Sequence, residues 1–267
     1  MIGTGRLGRA LGEALARSGA APAALLGGRA AAAEPRRLVA ILERAGATPV
    51  LLLAVRDEAL AGLAAGIAMA VADVPRGAAA LHASGALGVE VLEPLARRGW
   101  ATGSVHPLQT LTGGARDAGR LSGSTFAVEG SDAGEEAARE VIRALGGTPL
   151  TVPSDRRDLY HLAASLGANG LTGLVAAARD ALAAAGALDP ADALRALEPL
   201  LRAALEEALE RGPEASLTGP TARGDDSTLE RHRRALARWD ATRLPLLESL
   251  LREQRRLAAR GGGGTGC

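Results

Sequence analysis

The chain has 267 residues, of which 47% are hydrophobic, and its 31 basic and 30 acidic residues give a net charge of +1. This length predicts two small domains, since one domain takes about 150 residues. The near-zero net charge indicates neither a nucleic-acid nor a membrane partner. Every basic residue is an arginine, which excludes lysine Schiff bases and a P-loop lysine.

Cysteine and histidine usage narrows the chemistry further. Cys267 is the only cysteine, so internal disulfides and cysteine-based zinc sites are excluded. The four histidines have no metal-site spacing, and we expect no bound metal. The first ten residues do not resemble a signal peptide. The longest uncharged run, residues 159–178, contains polar residues and glycines, so we expect a buried helix of a soluble, cytoplasmic protein.

In chain order, amphipathic segments alternate with apolar runs as far as residue 152. Helices are predicted over 8–18, 34–45, 57–72, 87–98 and 132–145, and strands over 48–55, 78–83, 101–105, 125–128 and 150–152, with a short apolar stretch at 23–26. This alternation predicts an α/β fold with a parallel sheet covered on both faces. From residue 153 to 260 the pattern is helical. We therefore predict a Rossmann-like NAD(P)-binding domain over 1–152, an all-helical substrate and dimerisation domain over 153–260, and a disordered tail over 261–267.

The segment Gly3-Thr4-Gly5-Arg6-Leu7-Gly8 has the GxGxxG pattern of dinucleotide-binding turns. In that pattern the first glycine makes the turn, the second lets the backbone approach a pyrophosphate, and the third lets the helix pack on the strand. Because it opens a predicted helix within a βαβ pattern, a nucleotide site is favoured over a plain turn. Val55, at the end of the strand predicted over 48–55, is a further candidate for contact with the cofactor. Only Met1 and Ile2 precede the turn, and our hypothesis is that the natural first strand begins upstream.

Arg29 follows the apolar stretch at 23–26, which is in the position of a second strand. NAD-binding proteins usually place an acidic residue at the end of that strand. An arginine suits a 2′-phosphate, and Arg6, within the glycine turn, is a second candidate to bind it. The alternative is a solvated surface arginine. We predict a preference for NADPH over NADH.

Polar residues gather at strand ends and along one helix. His82 and Ser84 alternate at the end of one predicted strand, and His106 follows the next. At 100° per residue, four polar residues of the 159–178 helix share one stripe, namely His161, Ser165, Asn169 and Thr172. The stripe includes the only asparagine. We favour a ligand-facing stripe over a set of interhelical hydrogen bonds.

The loop over 217–225 is unusually specific for a linker. It contains Arg223, which is suited to a bidentate grip on a substrate anion, although an exposed arginine in a capping loop is an equal alternative. We predict a capping box from Ser227 to Glu230. Asp225, Thr228 and His232 are further substrate-binding candidates, because Thr228 and His232 lie one turn apart on one face.

Five segments together resemble an uncharacterised family of Rossmann-like oxidoreductases. They are GTGRLGRALGEAL at the start, LHASGALG at 81–88, GSVHPLQT at 103–110, LYHLAASLGAN at 159–169 and LTGPTARGDDSTLERH at 217–232. The family is related in layout to pyrroline-5-carboxylate reductase, coenzyme F420-dependent NADP reductase and 6-phosphogluconate dehydrogenase. The resemblance implies a nicotinamide-binding domain, a second domain like the C-terminal domain of 6-phosphogluconate dehydrogenase, and a homodimer built on it. It supplies no substrate.

The expected function is that of an NADP-dependent oxidoreductase acting on a small C=O or C=N substrate in a cleft between the domains. His106 and His161 are candidates for moving the proton, and their relative roles stay open. Ser84 and Asn169 are expected to orient the substrate, and Arg223 to hold a carboxylate. The alternatives are a dinucleotide-binding regulator without catalysis and an interaction protein with a dead cofactor site.

Overall fold

A computed structural model describes residues 1–20, 24–28, 38, 40–42, 48–71 and 73–261. Arg29, most of the predicted helix over 34–45 and the tail after residue 261 lie outside these residues. The chain divides into two compact units, Met1–Leu171 and Thr172–Cys267.

The first unit contains a five-stranded sheet whose strands lie side by side in chain order. The strands are β1 (Val50–Leu53), β2 (Ala79–His82), β3 (Ala101–Pro107), β4 (Thr125–Gly130) and β5 (Thr148–Thr151). The pairs β1–β2, β2–β3 and β4–β5 are parallel, as predicted. The pair β3–β4 is antiparallel, with Pro107 opposite Phe126, so the prediction of a wholly parallel sheet is wrong there. The link between these strands, residues 108–124 with a short helix at Asp117–Leu121, returns the chain to the same end of the sheet, and strands joined in this way are antiparallel.

Ile2 takes the place of a central first strand. It forms parallel bridges with both Leu26 and Leu53. Its N–H donates to the carbonyl of Leu52 at 2.8 Å, and the N–H of Gly3 donates to the carbonyl of Leu26 at 2.7 Å. Leu26 of the predicted apolar stretch therefore lies beside Ile2, and the glycine turn starts directly after Ile2.

Helices cover both faces of this sheet. Those with described bounds in the first unit include α1 (Arg6–Arg17), α2 (Asp57–Ala70), α3 (Glu93–Ala96), α4 (Asp117–Leu121), α5 (Asp132–Ala144) and α6 (Arg157–Ser165). The regular helix predicted over 87–98 is a 3-10 turn (Val89–Leu92) followed by α3. Pro94 lies in the first turn of α3, because proline has no N–H for a bond within a longer helix.

Two apolar clusters show that the sheet is buried on both faces. Leu51 and Leu53 belong to one cluster, together with Leu60 of α2. Leu52, between them, belongs to the other, together with Leu11 of α1 and Phe126. Successive side chains of a strand point to opposite faces, so the near-continuous apolar run of β1 serves both cores.

The segment after β5 differs from the single buried helix that the sequence predicts. A π-helical turn, Leu166–Gly170, separates α6 from α7 (Leu171–Gly186). Leucines 159, 162 and 166 are 62%, 51% and 63% exposed, so the expected burial is wrong for the single chain. The helix predicted to begin the helical domain also lies in the first unit, because Arg157 and Tyr160 bond to residues of β3 and β4.

The second unit is helical, as predicted. Beyond α7 it contains α8 (Pro190–Arg211), α9 (Pro213–Ser216), α10 (Gly219–Ala222), α11 (Asp226–Asp240) and α12 (Leu244–Gly261). Leu229 of α11 and Leu251 of α12 are buried. In the described part of the chain, no helix taken singly has the length and apolar composition to cross a membrane; only the bent pair 154–186 and 190–211 meets both criteria when combined.

Candidate functional site

Two of the three glycines of the turn are required by close packing. Gly3 has a φ of +124°, and a Cβ there would overlap the carbonyl oxygen of Ala54. A Cβ on Gly8 would overlap the carbonyl oxygen of Gly3, so α1 packs directly on the turn. A Cβ on Gly5, by contrast, would meet nothing within 4 Å. Gly3 and Gly8 are therefore required by packing, whereas Gly5 leaves open space beside the backbone.

The N-terminus of α1 faces this open space without a protein cap. Gly5 is its N-cap residue and provides no side-chain hydrogen bond, and the first turn contains no acidic residue. Arg9 steadies the turn, since its Nε donates to the carbonyl of Thr4 at 2.8 Å. Uncapped N–H groups and the helix dipole together favour an anion at this position.

A groove of about 1270 Å³ connects the glycine turn to two histidines. Its lining comes from the turn, the end of β1, the start of α2, the segment after β3, and α6; the predicted residues in it are Gly3, Thr4, Gly5, Arg6, Leu7, Val55, His106 and His161. Gly8 is buried behind the turn. The groove thus brings together most of the residues predicted for the cofactor and both predicted proton carriers.

His106 and His161 form an imidazole pair at one end of the groove. Their ring centroids are 6.4 Å apart, and the rings are nearly perpendicular. Nδ1 of His106 lies 2.8 Å from the hydroxyl of Tyr160. Burial, followed by the charges of His161 and Arg157, lowers the pKa of His106 from its usual 6.5 to about 4. His106 is therefore a neutral imidazole near pH 7, while the side chain of His161 is exposed.

His82 and Ser84 lie behind the groove and serve the loop after β2. His82 is fully buried, and its Nδ1 accepts from the backbone N–H of Ser84 at 3.2 Å. Burial, with the charge of Arg157 adding to it, lowers the pKa of His82 to about 4. Ser84 Oγ accepts from the N–H groups of Ala86 and Leu87 at 3.2 and 3.1 Å. These bonds give Ser84 a structural part in the loop, which differs from the predicted contact with substrate.

Arg157 is a buried cation beneath the imidazole pair. It is 1% exposed, its Nε donates to Glu129 at 3.2 Å, and its Nη2 donates to Ser104. Ser154 bonds to the same carboxylate of Glu129. Nη1 of Arg157 and Nε2 of His82 make no hydrogen bond of regular geometry within the described residues. The positive charge of Arg157 therefore lowers the pKa of both buried histidines, His82 and His106.

Sequence reasoning missed Arg157 and Tyr160 as site residues. Arg157 lies in the run Asp-Arg-Arg-Asp, which resembles an exposed charged helix start. Tyr160 is the only tyrosine and directly precedes His161, so its rarity was the one available signal. Their importance depends on contacts with residues 28 to 54 positions away, which no local pattern reveals.

Asn169 lies within the π-helical turn and is exposed. The wider turn has i→i+5 hydrogen bonds and interrupts the 100° spacing on which the predicted stripe depends. The regular stripe from His161 and Ser165 to Asn169 and Thr172 is therefore not formed as predicted.

The remaining predicted substrate residues belong to the second unit. Asp225 is the N-cap of α11: it accepts from the Thr228 N–H at 3.0 Å and from the Thr228 hydroxyl at 2.7 Å. The predicted capping box from Ser227 to Glu230 is thus wrong, because Asp225 supplies the cap. Hydrogen bonds from Thr228 and Ser227 lower the pKa of Asp225 to about 2. Arg223 and His232 are exposed.

The described residues include no group of three or more histidine, cysteine or acidic side chains arranged to hold a metal ion.

Comparison with known families identifies both parts of the chain. Residues 1–107 match the family model of the Rossmann-like domain, and residues 124–253 match that of a domain of unknown function, DUF2520. The chain carries a Rossmann-like domain followed by a DUF2520 domain. No curated protein matches the sequence.

Solved structures resemble the chain over nearly its whole length. A candidate NADP oxidoreductase from Bacteroides fragilis has a TM-score of 0.69 at 23% identity, with 96% of each chain covered. An imine reductase from Myxococcus stipitatus, solved with NADP+, has a TM-score of 0.60 at 17% identity, covering 97% of this chain and 93% of that one. A Plasmodium falciparum pyrroline carboxylate reductase with NADP bound has a TM-score of 0.55 at 11% identity, with 96% of each covered. The predicted resemblance is confirmed, and at these identities it establishes the fold.

Proposed function

We propose that the Rossmann-like DUF2520 protein is an NADP-dependent oxidoreductase that acts on a small C=O or C=N substrate. One observation carries this proposal: a single groove joins the open glycine turn at the start of α1 to the imidazole pair of His106 and His161. The names of three structural relatives, one an NADP oxidoreductase candidate and two reductases solved with NADP, support it.

The turn fits a dinucleotide. Gly5 leaves room for a pyrophosphate, and the uncapped backbone N–H groups after it would hold the anion, with Thr4, Arg6 and Leu7 around it. Val55 lines the same groove. When bound, the nicotinamide supplies hydride chemistry. The chain's own residues bind and orient the substrate and move the proton: His106 and His161 lie at the reacting end, and Asn169 and Arg223 stay proposals for orienting the substrate and holding its carboxylate.

Gly5→Val is the variant that tests the cofactor site. A Cβ at Gly5 meets nothing, so the fold should tolerate valine, whereas its side chain would fill the space proposed for the pyrophosphate. We expect NADPH to raise the melting temperature of the native protein and to lose its affinity at least about 100-fold in Gly5→Val, a loss of roughly 2.7 kcal/mol. Gly66→Val, at a glycine of α2 outside the groove that also has no neighbour within 4 Å, is the control for added bulk. Unchanged NADPH affinity in Gly5→Val would refute the proposed site.

Turnover distinguishes an enzyme from a binding protein. We expect NADPH consumption with at least one member of a panel of cyclic imines, ketones and 2-keto acids. His106→Gln and His161→Gln should each lower kcat about 100-fold, with NADPH affinity retained, because they remove groups at the reacting end only. NADPH binding without consumption of any panel member would instead support the non-catalytic regulator.

The choice of NADP over NAD rests on arginines. We propose that Arg29 and Arg6 bind the 2′-phosphate, since a guanidinium binds phosphate bidentately. Arg29→Ala should weaken NADPH binding about tenfold and leave NADH binding unchanged, as expected for loss of one charge-assisted bond. Equal dissociation constants of the native protein for the two cofactors would contradict the assignment.

We also propose that a second copy of the chain covers exposed leucines of α6, of the π-helical turn after it, and of α8. Leu162 and Leu166 in the first unit are exposed, and so are Leu200 and Leu209 in the second. Large apolar side chains left exposed in such number mark an interaction surface. Sedimentation should give a dimer at micromolar concentration and a monomer for Leu209→Glu, whereas Leu108→Glu, at an exposed leucine after β3, should leave the dimer intact. A monomeric native protein would rule this out.

A further inference from the structure

His106 is held from two sides by residues that do not line the groove. The hydroxyl of Tyr160 lies 2.8 Å from Nδ1, and the two rings are perpendicular at 89°. On the other side is Gly85, where a Cβ would lie 2.7 Å from Cε1 and 2.8 Å from Nε2 of the imidazole. A side chain at position 85 would displace the ring. The imidazole is therefore fixed in one orientation, with Nδ1 engaged by the protein.

The bond between Tyr160 and His106 has a direction. The hydroxyl has two acceptors nearby, Nδ1 at 2.8 Å and the carbonyl oxygen of His106 at 3.4 Å. Donation to the carbonyl would be weak, since O–H···O bonds usually span about 2.5–3.0 Å, so the geometry favours donation to Nδ1. Burial raises the pKa of Tyr160 to about 12, which keeps the hydroxyl protonated. Nδ1 then accepts, and the single proton of a neutral imidazole lies on Nε2.

The charged groups around His106 favour its neutral form. Arg157 and His161 face it from α6, and the buried His82 faces it from β2. Glu129 of β4 is paired with Arg157, and Ser154 bonds both to Glu129 and to a second carboxylate, Glu90. The burial of His106 acts in the same direction as its cationic neighbours. The side chain of His161, in contrast, is exposed to solvent.

We propose that Tyr160 is a positioning residue that fixes His106 as a neutral Nε2–H donor to the substrate heteroatom, and that His161 is the residue that exchanges the proton. This proposal rests on the proposed function. A bound reduced nicotinamide would supply the hydride to the substrate carbon and would itself be oxidised. The substrate heteroatom, which receives the π electrons of the C=O or C=N bond, would take its proton from His161, and His161 would be reprotonated by a proton from the solvent. His106 keeps its own proton throughout and only donates a hydrogen bond.

The tautomer can be measured without turnover. Long-range ¹H–¹⁵N spectra of the full chain labelled at histidine, with His106→Gln for assignment, should show His106 as the neutral Nε2–H form from pH 5.5 to 8. Tyr160→Phe removes only the hydroxyl and should convert this signal to a mixture of both tautomers. Arg156→Gln, at an exposed position just before α6, should leave it unchanged. An Nδ1–H form in the native protein, or an identical spectrum in Tyr160→Phe, would overturn the positioning role.

The pH dependence of kcat/KM assigns the proton. Tyr160→Phe should lower kcat/KM about tenfold, in proportion to one hydrogen bond, and keep the shape of the profile. His161→Gln should remove the limb of the profile that reports the proton donor, whereas His106→Gln should keep that limb at a lower rate. A limb that survives in His161→Gln and disappears in His106→Gln would reverse the assignment. Absence of turnover with every substrate would overturn the proposed function and the role of His161, while the spectrum alone decides the tautomer.

Discussion

Two polar clusters of this protein are built in opposite ways. The cluster around Arg157 in the first unit joins residues 28 to 54 positions apart on β3, β4 and α6. The cluster around Asp225 in the second unit joins residues two or three positions apart. The local cluster satisfies its own hydrogen bonds and caps a helix, whereas the long-range cluster leaves Nη1 of Arg157 without a regular hydrogen bond within the described residues.

The difference between the Arg157 and Asp225 clusters indicates which of them is the better candidate for a functional site. Local polar motifs meet their own backbone needs and are expected to contribute stability. Burying the Arg157 cation between distant strands costs desolvation energy, and its charge lowers the pKa of the neighbouring histidines. Three predictions test this contrast, starting with the largest effect.

Arg157→Met should be the most damaging substitution. It leaves Glu129 without its partner in a site where the two side chains are 1% and 13% exposed, and breaking such a pair costs about 3–5 kcal/mol. Urea unfolding followed by the fluorescence of buried Trp100, in a Trp239→Phe background, measures the loss in the first unit. Arg17→Met breaks an exposed pair with Glu13 and is the control, with little expected change. Equal effects of the two substitutions would remove the distinction between the clusters.

Acid should weaken the first unit through its buried imidazoles. The pKa of His82 is about 4 in the folded protein against 6.5 when unperturbed, so the unfolded state binds more protons between these values. The free energy of unfolding should therefore fall as the pH drops from 6.5 to 4, by about 3 kcal/mol for His82, and level off below. His82→Gln should flatten this dependence. His232→Gln, at an exposed position of α11, should leave it as steep as in the native protein.

Asp225→Ala should have the smallest effect. Loss of the cap should lower the melting temperature of the second unit by a few degrees, with KM unchanged if Asp225 serves only the helix. Ser227→Ala is the control, since Ser227 donates to Asp225 but does not cap the helix. A raised KM in Asp225→Ala with an unaltered melting temperature would restore the predicted substrate role and weaken the contrast.

Much of the fold follows from local patterns in the sequence. The strand β1 could be predicted from its apolar run, because a strand buried on both faces needs no polar residue at any position. The Gly3–Gly8 turn could be recognised because its glycines recur at a fixed spacing, and packing requires two of them, Gly3 and Gly8. The antiparallel β3–β4 pair was not predictable in this way, since strand direction depends on the path of the link and leaves no mark on the strand's composition.

The site could be predicted only in part. His106 and His161 stood out because histidine is rare here, and the structure places them 6.4 Å apart at the groove. Ser84 also stood out, but its hydroxyl is engaged by the backbone of its own loop. Asn169 was predicted to share a stripe with His161 on the basis of a regular helical spacing, and the π-helical turn interrupts that spacing.

The sequence by itself determined the dinucleotide turn, the change from an α/β to a helical pattern, and the absence of lysine, because these are properties of single positions and short periods. Only the tertiary structure decided which histidine is neutral and what holds it. Burial, the charge of Arg157 and the hydroxyl of Tyr160 act on His106 through space, and a pKa depends on distances that the order of residues does not contain.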